Sequence, residues 1–194
     1  MKKFLSSSAI GYYGDREEEI LCESSGPGKG FLAQTCLNWE KESTELDNYG
    51  VNTIQLRTGI VLGKNGGALK KMSYIYKFGL GGRLSNGKQW WSWIHRDDLV
   101  AICLRAISDN EMVGVYNGTA PHPMRQGDFS TVLGKVLYRP AFLPTPAFAL
   151  KLALGGFSTE LLTSKRVVPK RLQEAGFEFQ YPELETALRQ ALGR

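Results

Sequence analysis

A chain of 194 residues, 42% hydrophobic and 11% aromatic, is long enough to bury a core and lacks the composition of a disordered segment. Its 24 Lys and Arg against 19 Asp and Glu give a formal charge of +5, yet the bases are dispersed and broken by acidic runs such as Asp15-Arg16-Glu17-Glu18-Glu19, so no nucleic-acid partner is expected. Three cysteines (Cys22, Cys36, Cys103) form neither a CxxC pair nor a disulfide ladder, which points to a reducing compartment, the cytoplasm or, in a eukaryote, the chloroplast or another organelle.

His95 and His122 are too far apart for a helical pair, so no metal site is expected. No apolar run approaches the ~20 residues that span a bilayer. The start Met1-Lys2-Lys3-Phe4-Leu5 lacks the apolar stretch of a signal peptide, and the sequence predicts a soluble chain with no membrane partner.

Residues 3–9 read as a strand, followed by a polar, glycine-bearing loop from Gly11 to Gly30. Leu32, Cys36, Trp39, Ser43 and Leu46 recur at helical spacing and predict the buried face of a helix that stops before Gly50. Val51 to Leu56 alternates as a strand and ends at Arg57-Thr58-Gly59. Ala68 to Phe78 reads as a second helix, closed by Gly79-Leu80-Gly81-Gly82. Asn86-Gly87 predicts a hairpin whose second arm is Trp90 to Ile94. Asp97 or Asp98 is expected to cap a helix carrying Leu99, Ile102, Cys103, Ala106 and Ile107. A short strand at 113–117 and a helix at 128–137 follow.

At Arg139-Pro140 the composition changes, and the remainder reads as short helices. The expected organisation is a Rossmann-like domain over 1–138 and a small domain over 139–194. Alternating strands and helices predict an α/β fold with a parallel sheet, here the C-terminal part of a Rossmann-like sheet with a small, mostly helical C-terminal domain.

The turn Ser8 to Gly14 falls at the carboxyl end of the first strand, where open α/β sheets hold their ligands. Ser6-Ser7-Ser8-Ala9 with Tyr13-Gly14, Leu56-Arg57-Thr58-Gly59, Trp93-Ile94-His95-Arg96-Asp97-Asp98 and Tyr116-Asn117-Gly118 resemble, in order and spacing, the extended short-chain dehydrogenases/reductases. Gly66-Gly67-Ala68-Leu69, Gln89-Trp90-Trp91-Ser92 and Asn117-Gly118-Thr119-Ala120-Pro121 narrow this to an atypical, NAD(P)-binding epimerase-like branch labelled cell-division inhibitor, whose C-terminal segment has no known function.

The resemblance implies roles. Ser8 corresponds to the residue that bonds the reacting oxygen, and Ser8 with Thr58, Gly59, Ile60 and Val61 to cofactor contacts. The glutamate that follows the catalytic Tyr-x-x-x-Lys pair on the same helix resembles Glu40. That register puts Leu32 and Cys36 where tyrosine and lysine would stand, so Tyr13, or Tyr12 beside it, is the substitute for the general acid/base. Tyr12, Trp93 and His95 are the expected substrate contacts. The arginine that grips a diphosphate in nucleotide-sugar relatives is replaced by the Trp90-Trp91 stretch.

The family's cofactor is NAD or NADP, bound by a Gly-x-x-Gly-x-x-Gly turn that these residues do not contain. The sequence therefore predicts a truncated chain lacking the glycine-rich part, with an unpaired edge on its first strand and with dinucleotide binding by this chain alone in question. A small-molecule ligand is the expected partner. The alternative reading is a non-catalytic binding or regulatory module of the same fold.

Overall fold

The computed structural model describes residues 2–64 and 66–194; Met1, which opens the N-terminal segment read above, lies outside them. In chain order the elements begin with β1 (Lys2–Ala9), a 3-10 turn (Ile10–Tyr13) and the short β2 (Ile20–Leu21). Then come α1 (Phe31–Thr44), a further 3-10 turn (Glu45–Tyr49), β3 (Val51–Thr58), β4 (Ile60–Leu62) and α2 (Gly67–Lys77). The middle of the chain forms β5 (Trp90–Trp91), β6 (Trp93–His95), α3 (Arg96–Ser108), β7 (Gly114–Gly118), β8 (Met124–Arg125) and α4 (Gln126–Leu137). It ends with α5 (Ala147–Leu154), α6 (Phe157–Leu162), β9 (Arg166–Val167), α7 (Lys170–Glu174) and α8 (Leu184–Leu192).

β1, β3 and β7 form a parallel sheet in the order β1-β3-β7, with crossovers through α1 and α3, as strand–helix alternation requires. The α/β, Rossmann-like architecture expected from the sequence is the one observed. The outer edge of β7 is sealed by charge. Arg171 donates to Val115 O at 2.6 Å and Val113 O at 3.0 Å, and Glu23 accepts from Asn117 N at 3.1 Å. These side chains occupy the groups that a further strand would need.

The C-terminal segment shares its core with the sheet. Leu184, Ala187 and Leu188 of α8 pack with Trp91, Trp93 and Phe129, while Leu172 of α7 packs with Ile54 and Ile102. β9 pairs in parallel with β2. Among the described residues, no helix is long and apolar enough to cross a membrane.

Three local expectations are corrected. The buried face of α1 is Ala33, Cys36, Glu40 and Ser43, whereas Trp39 is exposed. Periodicity misplaced that face because a carboxylate, neutralised across the sheet, occupies the inward position. Asn86-Gly87 does form a turn, but its arms do not pair. Leu84 N is taken by Gln126 Oε1, Ser85 N by Thr145 O, and β5 pairs antiparallel with β8 instead. The cap of α3 is His95, whose Nδ1 accepts from Asp97 N at 3.2 Å. Asp98 is buried and receives the backbone N–H groups of Gln180 and Tyr181 at 2.7 and 3.0 Å, tying the C-terminal segment to the helix start.

Candidate active site

Register places Ser8 of β1 opposite Arg57 of β3, and Arg57 opposite Asn117 of β7. Three polar side chains thus stand in one row across three parallel strands near their carboxyl ends. A row of this kind inside a core is tolerable only if every group is paired. Two neighbours complete it, Glu40 from α1 and Tyr13 from the turn after β1.

Arg57 forms a two-pronged ion pair with Glu40, Nε to Oε1 at 2.9 Å and Nη2 to Oε2 at 2.7 Å, with the two side chains only 4% and 9% exposed. Burial opposes the charge on Arg57, but hydrogen bonding to Glu40 and Tyr13 outweighs it and holds the guanidinium above its ordinary pKa. The Ser8 hydroxyl donates to Glu40 Oε1 at 2.6 Å. Its proton is committed inward, which leaves oxygen lone pairs as what Ser8 can offer a ligand.

Tyr13 is fully buried; its hydroxyl accepts from Arg57 Nη1 at 3.0 Å and lies 2.7 Å from Asn117 Oδ1 and 3.1 Å from Cys22 O. Asn117 in turn donates to Val168 O at 3.0 Å. The Arg57 guanidinium lies over the Tyr12 ring, 3.4 Å from its centroid, so one face of Tyr12 is already covered.

Burial pushes the Tyr13 hydroxyl up to about 12, against a smaller opposing pull from Arg57. The neutral phenol is therefore the folded-state form, and its contribution to stability is present below pH 10 and is lost as the pH rises through about 12. A two-unit difference corresponds to about 2–3 kcal/mol. The expected result is a chemical-denaturation stability that declines between pH 10 and 12, and Tyr13→Phe should make that decline shallower, the rest coming from groups such as the Tyr76 hydroxyl, which burial also pushes up.

Thr58 to Val61 carry the chain from the main sheet into β4, which pairs in parallel with β6. Their backbone is engaged, Gly59 N to Gly118 O at 3.1 Å and Ile60 N to Ser92 O at 2.9 Å. A Cβ at Gly59 would lie 2.7 Å from Ser92 O, so the crossover needs glycine there. Ser8 and this crossover share the carboxyl end of the sheet.

Of the residues expected to contact substrate, Tyr12 stands beside Arg57, whereas Trp93 and His95 are buried. Trp93 is fully buried in the core and donates Nε1–H to His122 O, so it presents no face to a ligand. His95 is almost fully buried beneath Tyr181, with ring centroids 4.1 Å apart, and its Nδ1 is spent on the helix cap. Trp90, in the stretch that replaces the diphosphate-gripping arginine, has Arg125 and Arg166 over its ring at 4.2 and 4.3 Å.

On α1, Leu32 is partly exposed and Cys36 is buried with its thiol pushed up by burial. Sequence reasoning placed Glu40 by register but gave Glu40, Arg57 and Asn117 no role. The available signal was Arg57 next to Leu56 at the end of a strand, and Glu40 one helical turn after Cys36 on the helix before it.

The C-terminal residues 145–191 match a family described as a domain of unknown function, DUF1731. The chain is 45% identical over 185 residues to the Arabidopsis thaliana protein "Epimerase family protein SDR39U1 homolog, chloroplastic", covering 95% of this chain and 53% of that protein. It is 39% identical to an epimerase family protein of Mycobacterium leprae, covering 100% and 64%. It thus spans about half to two thirds of the length of these relatives. The crystal structure of human epimerase family protein SDR39U1 (isoform 2) with NADPH superposes on all of this chain and on 66% of its own, at a TM-score of 0.93 and 29% identity.

This match removes the grounds for expecting a truncated chain whose dinucleotide binding is in question. Every part of the chain has a counterpart in a protein that carries NADPH, and a glycine-rich turn is one contact among the several that a dinucleotide makes across such a sheet. Its absence from these residues is evidence neither of truncation nor against cofactor binding. In fold, and in sequence along its whole length, the chain is similar to epimerase-family proteins.

Proposed function

We propose that this is an NAD(P)-binding protein of the epimerase family, with Ser8 and the Thr58–Val61 crossover facing the dinucleotide at the carboxyl end of the sheet. The observation that carries this reading is the superposition of the full chain on the NADPH-bound human relative. The residues fit a dinucleotide: a hydroxyl whose proton is turned inward stands beside a strand-end crossover, in the position where open α/β sheets hold nucleotides. When bound, the cofactor would supply hydride chemistry. The chain's own residues hold Ser8 in one orientation and, through the Glu40–Arg57 pair, keep the floor beneath it rigid.

Tyr13 belongs to that floor in this reading. Its hydroxyl is shared among Arg57, Asn117 and Cys22 O and stays protonated to high pH, so it positions the turn rather than moving a proton. A second reading, a cofactor-responsive module without turnover, is favoured by Leu32 and Cys36, which leave α1 without a Tyr/Lys pair. Gln89-Trp90-Trp91-Ser92 stands where nucleotide-sugar relatives carry a diphosphate-gripping arginine, so the proposal extends to the cofactor and not to a nucleotide sugar. Residence in a reducing compartment, the cytoplasm or a plastid as in the name of the Arabidopsis relative, is part of the same proposal and agrees with three free cysteines.

Titration with NADPH and NADH in a thermal-shift assay tests the proposal. At a ligand concentration about 100 times Kd, binding to the folded state alone stabilises by about 2.7 kcal/mol. A melting temperature unmoved by either dinucleotide up to about 100 times a micromolar Kd would overturn it. Turnover of bound NADPH with a panel of small carbonyl compounds separates the two readings.

A further inference from the structure

The two edges of the main sheet end differently. The outer edge of β7 is sealed by Arg171 and Glu23, whereas β1 pairs with β3 alone, so the other side of this eight-residue strand has no strand partner among the described residues. Nothing in β1 itself protects that side. The strand contains no proline, and its Lys3 is turned onto α3, where Nζ donates to Ala106 O at 2.9 Å.

The helices on the two faces of the sheet leave apolar side chains beside that edge. On α1, Glu40 points down between Ser8 and Arg57, and on one side of it Leu37 packs with Tyr12, Leu21 and Val167, over the β3–β7 half. Leu32 and Trp39 lie about 140° and 160° round the helix from Leu37, which puts them outboard of β1. A Cβ on Gly11, in the turn after β1, would lie 3.5 Å from Leu32 Cβ. On α3, which covers the opposite face, Ile102 packs with Ile54, while Arg105 donates to Ala175 O at 2.7 Å and Asp98 receives Gln180 and Tyr181, so that side turns toward the C-terminal segment and β7. Val100, Cys103 and Ile107 lie about 140° or more from Arg105, again on the β1 side. Trp39 is 58% exposed and Ile107 61%, and Phe4 of β1 is 42% exposed on the face that carries Ser8. Single exposed apolar residues need no explanation, but two helix flanks that border one unpaired strand edge do.

We propose that this open end is the interface with a second copy of the chain, in which β1 pairs antiparallel with the other β1 about a two-fold axis normal to the sheet. That operation sets α1 against α1 on one face and α3 against α3 on the other, so each layer meets an identical layer. The free backbone groups of each strand are then paired, and apolar flank meets apolar flank. A register centred on Leu5 places Lys2 opposite Ser8, Lys3 opposite Ser7 and Phe4 opposite Ser6, so no like charges face each other. The area is sufficient. A strand of this length is about 26 Å long and a helix, sheet, helix sandwich about 30 Å thick, so the end face offers about 800 Å² per copy, the standard size for a stable pair. Other occupants fit worse. An extended peptide would pair with the strand and leave both helix flanks in water, and a lipid surface has no backbone groups to offer the strand.

Sedimentation equilibrium of the 194-residue protein, from about 1 to about 100 μM, tests this directly. A dimer is expected, and hydrogen exchange of the β1 amides should slow as it forms. Trp39→Glu on α1 and Ile107→Glu on α3, exposed positions in different layers, should each raise the dissociation constant by about tenfold or more. Leu152→Ser, exposed on α5 outside these three elements, should leave it unchanged. If one charge variant loses the circular dichroism of the parent, the other carries the test, and exchange at β1 decides for the unaltered chain. A protein that stays monomeric up to about 100 μM would sink the proposal and leave the open end to a different partner. So would a dimer that both charge variants leave intact, one that Leu152→Ser abolishes, or one whose β1 amides exchange as fast as in the monomer.

Discussion

Glu40→Ala is expected to destabilise the protein by about 3–5 kcal/mol, the cost of leaving one partner of a buried ion pair without the other. The reason is in the row across the sheet. Glu40 takes both Nε and Nη2 of Arg57 and also the Ser8 hydroxyl, so its removal strands a guanidinium that is 4% exposed together with a buried hydroxyl. Equilibrium unfolding in urea measures the loss. Glu40→Gln keeps the shape but turns a donor toward a donor, and is expected to cost somewhat less. Exchanging both residues, Glu40→Leu with Arg57→Met, should cost less than the sum of the two single changes, because neither charge is then left uncompensated. If Glu40→Ala melts like the parent, the ion pair is not what holds Ser8, and the reading of the site loses its base.

Gly28→Ala is expected to cost about 3 kcal/mol or more, an overpacking effect with no side-chain escape. A Cβ at Gly28 would sit 2.1 Å from the carbonyl oxygen of Tyr13 and 2.7 Å from Cα of Gly14. Both obstacles are backbone, and Gly28 N already donates to Tyr12 O at 2.9 Å. The loop before α1 is therefore pressed onto the turn that carries Tyr12 and Tyr13, and moving it moves the site. Gly26, two residues earlier, has nothing within 4 Å of its Cβ position, so Gly26→Ala should be close to neutral. Comparing the two melts, with NADPH protection measured on each, separates crowding from any general effect of changing a loop glycine. Equal melts for the two variants would contradict the close approach.

The strand, helix, strand alternation was readable because parallel sheets with helical crossovers impose two distinct periods on the chain, and Val51 to Leu56 and Leu99 to Ile107 follow them. Ser8 was legible as a site residue from its position after a strand and before a glycine turn. The floor beneath it was not. Glu40 and Arg57 are 17 residues apart and Asn117 is 104 from Tyr13, and Glu40, Arg57 and Asn117 each by itself read as a surface charge or a turn residue. The burial of Trp93 and His95 was not legible either, for the converse reason. Aromatic and imidazole rings at the end of a strand look like ligand contacts, and only burial by α8 and Tyr181 shows that they are core and cap.

By itself the sequence determined the order and type of most elements, the α/β class and the residues that resemble the epimerase-like branch, since these rest on local period and motif. Tertiary structure decided which face of α1 turns inward, whether Asn86-Gly87 joins two paired arms, and what Ser8 is bonded to. Those outcomes depend on partners remote in the chain. A buried carboxylate is stable on α1 only because Arg57 arrives from the next strand, and the arms around Asn86-Gly87 part because Thr145 and β8 take up the backbone groups that would have paired them.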